Sequence, residues 1–211
     1  MYIPKAFVED DLRSLHDLIE QTPLASVVSH GDAGLLASHL PVLLAREEGE
    51  FGTLYGHFAR ANPQWRELSD GGEALLIFQG AEAYVSPSFY PSKAEHGKVV
   101  PTWNYQAVHA YGRAELFDER ERLLALVSRL SQRHEQGRAQ PWAVSDAPVE
   151  YIDSLLRAIV GFALPIARIE GKWKLSQNKD AQDFAGVQRG VAQSARPAER
   201  RLAEAMTTLK P

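Results

Sequence analysis

The sequence predicts an α+β domain, mainly β, in which a small antiparallel barrel of about six strands carries peripheral helices. Three observations predict it. Short runs rich in β-branched and aromatic residues recur between turns marked by Gly and Pro. Helical periodicity is confined to the start, the second half and the end of the chain. No repeat and no shift of composition marks a linker.

Taken in order, a first helix is expected from about Glu9 to Gln21, where Leu12, Leu15, Leu18 and Ile19 share a face and Pro23 then stops it. Leu24–Ser29 and Leu35–Ala45 read as two strands of a hairpin turned by Gly31 and Gly34. Pro41 cannot donate to a ladder, which puts its stretch on an edge or at a bulge. Thr53–Phe58 is a third strand, and ARANPQW, residues 59–65, a short helical connector. Glu73–Gly80 and Ala83–Ser86 follow as separate strands, and PSFYPSKAEHGK, residues 87–98, as a surface loop. Val99–Phe117 is one long bent strand or two, with Pro101 at its start or on an edge. A strong helix is expected from Asp118, with Asp118 as cap and Glu121 in the capping-box position. It carries Leu123, Leu124, Leu126, Val127 and Leu130, a core or interface stripe, and ends near Gly137. A second helix, capped by Asp146 with Pro148 in its first turn, runs to about Ile159. Gly161–Ser176 returns to strand, and residues 180–211 alternate apolar and charged residues at loose helical spacing around Pro197.

The 211 residues are 45% hydrophobic and 24% charged, the balance of an ordinary soluble globular protein. No apolar run approaches the ~20 residues that a membrane helix needs. The acidic opening lacks the basic start and apolar core of a signal peptide. With no cysteine, disulfides, thiolate metal sites, cysteine nucleophiles and Fe–S clusters are excluded, and a reducing cytoplasmic setting fits best. A net charge of -4 means that DNA affinity would need a local basic patch. The chain has no G-x-S-x-G elbow, P-loop, G-x-G-x-x-G fingerprint or helix-turn-helix pattern. HEQGR at His134 lacks the second histidine of a zinc helix, and no metal site is expected. Glu135 and Asp146 read as ordinary helix-end charges.

Polar and aromatic residues instead crowd four segments: SHLP (38–41), GHFARANPQW (56–65), VPTWNY (100–105) and EGKWKLSQN (170–178). Strand interiors avoid Asn, Gln and Lys, so such clusters are either exposed barrel faces or donors converging on a ligand. A ligand met by His, Arg, Lys, Ser and Asn beside Trp faces is anionic at one end and planar at the other, which describes flavin mononucleotide.

GHFARANPQW, IFQGAEAYVSPSFYPSK, VVPTWNYQAVHAYG and IVGFALPIARIEGKWKLSQNK, in that order, resemble the PaiB-like family of FMN-binding negative transcriptional regulators. The resemblance covers about residues 1–191, which it makes an FMN-binding domain with inserted helices. Residues 192–211 are left as a helical tail. One departure is Phe89, where the family usually carries Trp. The resemblance implies the six-stranded split β-barrel of pyridoxine-phosphate oxidase and small flavin reductases, where a homodimer holds FMN at the subunit interface.

The same resemblance places Arg60 where such proteins bring a cation to the FMN phosphate; otherwise it forms a surface salt bridge. His57 and His39 donate to the phosphate or ribityl chain, or bond barrel carbonyls, and Ser38 suits either that chain or solvent. Thr102, Trp103 and Asn104 run past the flavin ring, with Asn104 reading its edge and Trp103 walling it, or with Trp103 in the core or dimer interface. Lys174, Gln177 and Asn178 form the last cluster. Lys174 beside the ring tunes the cofactor, or is a solvated strand end; of Lys172 and Lys174, one faces solvent. Similar barrels are also flavin- or haem-dependent oxidoreductases, and the axial candidates for haem are His39, His57 and His109. DNA binding is left without support by charge or motif.

Overall fold

The structure is a computed structural model that describes residues 1–32, 34–69 and 71–207. Val8–Glu9 (β1) pairs with Lys172 and Gly171, so the first helix begins later than the leucine spacing suggests, at Leu12–Gln21 (α1). Asp11 caps it, accepting from Ser14 N at 3.0 Å and Ser14 Oγ at 2.7 Å. The hairpin forms as expected: β2 (Leu24–Gly31) and β3 (Gly34–Pro41) pair from Leu24↔Pro41 to Gly31↔Gly34, with Gly34 at φ 101°. Ala33, in the expected turn, lies outside the described residues, as do 208–211 of the expected tail. Pro41 closes β3, and Leu43–Ala45 starts again as β4, so the second expected strand is two.

Next come β5 (Thr53–Ala59), α2 (Gln64–Ser69) and β6 (Glu73–Val85). The two strands expected between Glu73 and Ser86 are one. Gly80 is not a turn but a close approach: a Cβ there would lie 2.5 Å from Leu18 Cδ1. The expected loop 87–98 holds a 3-10 turn at Pro87–Phe89 and a helix, Ser92–His96 (α3), ended by Gly97 at φ 65°. β7 (Thr102–Arg113) and β8 (Glu115–Phe117) show that Val99–Phe117 contains two strands.

The strong helix is Arg120–Glu135 (α4), without a side-chain cap. Asp118 does not cap it: Glu119 holds the N-cap position, and the Asp118 carboxylate pairs with Arg60 at 3.3 Å. Asp146 likewise caps no long helix; it accepts from Ala143 N in the 3-10 turn Val144–Asp146. Pro148 precedes Val149–Leu156 (α5), which ends early because Ile159 already pairs with Ala59 in the final strand, Ile159–Lys174 (β9). Ala181–Ala192 (α6) and Pro197–Thr207 (α7) complete the described chain.

The strands join one antiparallel sheet in the order β3-β2-β6-β7-β9-β5-β4, with β1 and β8 also on β9. Among the described residues nine strands stand where six were expected. The surplus is β1, β4 and β8, two or three residues each, and the path is not closed into a six-stranded barrel.

Packing divides the chain into two units. Unit 1 is Met1–Leu18, Gln79–Val108 and Glu170–Pro211; among its buried residues are Leu15, Val85, Trp173, Phe184, Leu202 and Met206. Here Phe89, the departure from the family pattern, lies against Gly190, where a Cβ would come within 2.4 Å of its ring. Ser92 bonds the buried Asp183 of α6 through both N (3.1 Å) and Oγ (2.7 Å). The SPSFYPS segment is thus a clasp on α6. Unit 2 is Ile19–Phe78 and His109–Ile169. Its core contains Leu54, Phe58, Leu76 and Phe162, and the leucine stripe of α4 packs with Ile152, Leu156 and Phe117.

Candidate functional site

In unit 1, β7 carries Thr102, Trp103 and Asn104, Lys174 ends β9, and Gln177 and Asn178 follow it. Lys174 Nζ donates to Thr102 Oγ1 and, at 2.7 Å, to the carbonyl of Trp103. Neither acceptor is charged. Burial, and secondarily the neighbouring ammonium of Lys172, holds the Lys174 amine below the ordinary lysine range. Lys172 does not supply a solvent-facing partner: it is 8% exposed, bonds the Tyr2 carbonyl at 3.0 Å and lies over the Tyr2 and Tyr105 rings. Its stem and head are absorbed by the chain's own start, which spacing on β9 does not show.

Trp103 is 44% exposed, its Nε1 donating to Glu82 at 3.1 Å and its ring edge-on to Tyr84 at 6.1 Å. Asn104, on the opposite side of the strand, is 0% exposed. Its Nδ2 donates to Ser176 Oγ at 2.8 Å. Ser176, which sequence reasoning passed over, holds φ 67°, the one positive φ outside glycine among the described residues. Gln177 turns back on its own strand end, donating to Trp173 O and accepting from Leu175 N at 2.7 Å. Asn178 is exposed.

Unit 2 holds the other four expected residues in separate places. Ser38 and His39 point to opposite faces of β3; Ser38 accepts from Asn62 Nδ2 at 2.8 Å, and His39 Nδ1 lies 3.0 Å from Ser26 Oγ across the ladder. His57 lines a cavity of about 300 Å³ with Val127, Leu130 and Trp142. Burial pushes its pKa below the ordinary value, and among the described residues its buried Nδ1 has no hydrogen-bond partner. Arg60 donates to the carbonyls of Arg157 (2.9 Å) and Ile159 (3.0 Å) and reaches Asp118, lining a cavity of about 520 Å³ with Arg120, Asp153 and Arg157.

Much of GHFARANPQW is therefore architectural. Asn62 also accepts from Gln64 N, Gln64 is buried against Val27 O and Leu36 O, and Trp65 Nε1 bonds Arg60 O. The Asn-Pro pair was the available signal for this turn. His109, on β7, has its Nδ1 3.4 Å from Tyr111 Oη.

A family model described as "Putative FMN-binding domain" matches residues 1–168. The chain belongs to this PaiB-like FMN-binding family. "Protease synthase and sporulation protein PAI 2" of Bacillus subtilis is 32% identical over 206 residues, covering 98% of this chain and 96% of that protein. Two solved structures share the fold at low identity. The flavocytochrome Anf3 of Azotobacter vinelandii has a TM-score of 0.57 and 18% identity, covering 87% of this chain and 78% of its own. The FAD and heme binding protein of Mycobacterium smegmatis has a TM-score of 0.56 and 21% identity, covering 84% and 78%. No helix among the described residues is long and apolar enough to cross a membrane.

Proposed function

We propose that this chain binds FMN as a homodimer and acts, directly or indirectly, in negative transcriptional control. The observation that carries the flavin reading is Lys174: a half-desolvated amine held by two uncharged acceptors, beside the exposed Trp103 ring. Such an amine suits the acceptor edge of a planar, anionic cofactor better than solvent. FMN, when bound, supplies reversible electron transfer. Thr102 and the Trp103 carbonyl aim the amine, and Glu82 fixes the indole by accepting its N–H. Asn104 and Ser176 hold the strand ends that carry them. Ser38, His39, His57 and Arg60 remain proposals for the phosphate and ribityl end, and Gln177 and Asn178 for the ring end, each to be tested singly. Exposed Tyr84, Val100 and Trp103 support a protein interface. The regulatory role rests on the family resemblance, and cytoplasmic placement on the absence of cysteine.

The direct test replaces Lys174 by Met and by Arg. Met should weaken FMN binding and Arg retain most of it; equal affinity in all three proteins would remove Lys174 from the site. The second reading is a flavin- or haem-dependent oxidoreductase. Neighbours of the same fold described as flavin and haem proteins favour it, as does the partly buried imidazole of His57, whose pKa burial lowers. NADPH oxidation by the FMN-loaded protein, or a Soret band with haemin that His57→Ala abolishes, would establish it over the first.

A further inference from the structure

We propose that two adjoining cavities around Trp142, in unit 2, form a second small-molecule site for an uncharged planar heterocycle of about nucleobase size. The larger, about 560 Å³, lies between α4 and the segment that folds back after it. That volume is within the ~300–1,000 Å³ usual for ligand pockets. The smaller, about 300 Å³, shares Ser131, Glu135 and Trp142 with it and continues to His57 and Pro41.

The pocket is built rather than left over. Gly137, at φ 82°, reverses the chain after α4, and Glu135 then pins the returning strap at two points. One carboxylate oxygen pairs with Arg138 Nε at 3.2 Å; the other accepts from Trp142 N at 3.1 Å. Ala143 and Asp146 lock the far end through their mutual N–H bonds at 2.9 Å. Far from being an ordinary helix-end charge, Glu135 is the hub of the strap.

The lining sets the ligand class. Ser128, Ser131, Gln132 and Glu135 fall at i, i+3, i+4 and i+7 on one face of α4, opposite the buried leucines. Among the described residues, the side chains of Ser128, Ser131, Gln132, Gln136 and Ser145 make no hydrogen bond within the protein. They face a half-exposed indole that offers a stacking surface. Among the described residues no Lys or Arg lines either cavity, and the carboxylate of Glu135 is already spent. Phosphates and carboxylates therefore meet no Lys or Arg in the lining, the nearby Arg138 being paired with Glu135, whereas a flat, neutral ring with donors and acceptors along its edge meets both the indole and the amides. His57 opens onto the smaller cavity, where its Nδ1 has no hydrogen-bond partner among the described residues and burial lowers its pKa; a place in this site is the alternative to the phosphate role proposed above.

Adenine is a suitable probe, with AMP as its charged counterpart, added to the full chain while His57 and His134 ring signals are followed by NMR. Saturable shifts with adenine, no tighter binding of AMP, and losses of about tenfold in Trp142→Ala and Gln132→Ala are expected. Trp142 is 44% exposed and Gln132 is exposed on α4, so thermal melts should match the parent. Absence of saturable shifts, or unchanged adenine affinity in Trp142→Ala, would overturn the proposal. FMN titration of Trp142→Ala separates it from the flavin reading: retained FMN binding supports a distinct site, and its loss together with adenine would make these cavities part of the flavin site.

Discussion

Lys174 concentrates the chemistry of unit 1 in one atom, and its surroundings fix the sign of each expectation. Lys174→Met should weaken FMN by about 1.5–3 kcal/mol, the usual worth of a hydrogen bond to a charged group. Because burial and Lys172 lower its pKa, the amine loses its charge at a lower pH than the ordinary 10.5. FMN affinity should therefore fall on the alkaline side earlier than an unperturbed lysine would allow, and Lys174→Arg, which does not titrate there, should flatten the profile. His57 works in the opposite range. Its folded pKa lies below the ordinary 6.5, so the folded state binds fewer protons than the unfolded chain near that pH. Stability is then present above pH 6.5 and lost as pH falls through the folded pKa. Melting temperatures from pH 7.5 to 5 should drop less in His57→Gln than in the parent, and identical slopes would refute the assignment. Arg60 is already committed to two carbonyls and Asp118, so Arg60→Ala should lower the melting temperature as well. Only a loss of FMN affinity beyond that of Arg60→Lys would give it the phosphate.

At the scale of elements, close approach explains what the strands tolerate. A Cβ at Gly161 would sit 2.3 Å from the Phe117 ring. Gly161→Ala should therefore cost about 1–3 kcal/mol by overpacking, seen as a lower melting temperature. Asn104→Ala leaves the buried Ser176 hydroxyl short of a partner and should cost about 1–3 kcal/mol. The same distinction decides what was legible in the sequence. The β2–β3 hairpin and the α4 stripe were readable because glycine pairs and leucine spacing act locally. Gly80 misled because a glycine that admits Leu18 looks, in sequence, like one that turns a chain. SPSFYPS misled for a related reason: its prolines mark a local break, but its Phe89 and Ser92 are claimed by α6, about a hundred residues away in the chain. Asp118 and Asp146 matched cap patterns, yet one went to Arg60 and the other to Ala143.

For the whole molecule, the family and the sheet-rich fold were both legible, the first through the order of four motifs and the second through strand composition. What the motifs did not separate was architecture from ligand contact. GHFARANPQW spends Asn62, Gln64 and Trp65 on its own turn, and VPTWNY buries Asn104. Lys174 with Thr102 and Trp103, bonded to one another yet partly exposed, are the better guide to the cofactor. Sedimentation of the FMN-loaded protein should give a dimer, and a monomer at micromolar concentration would refute the proposed subunit interface. Titration of the purified chain with FMN, followed by flavin fluorescence, decides whether the cofactor is held. Saturable quenching that ends near one FMN per subunit is the predicted result, and fluorescence that stays that of free flavin throughout would contradict it.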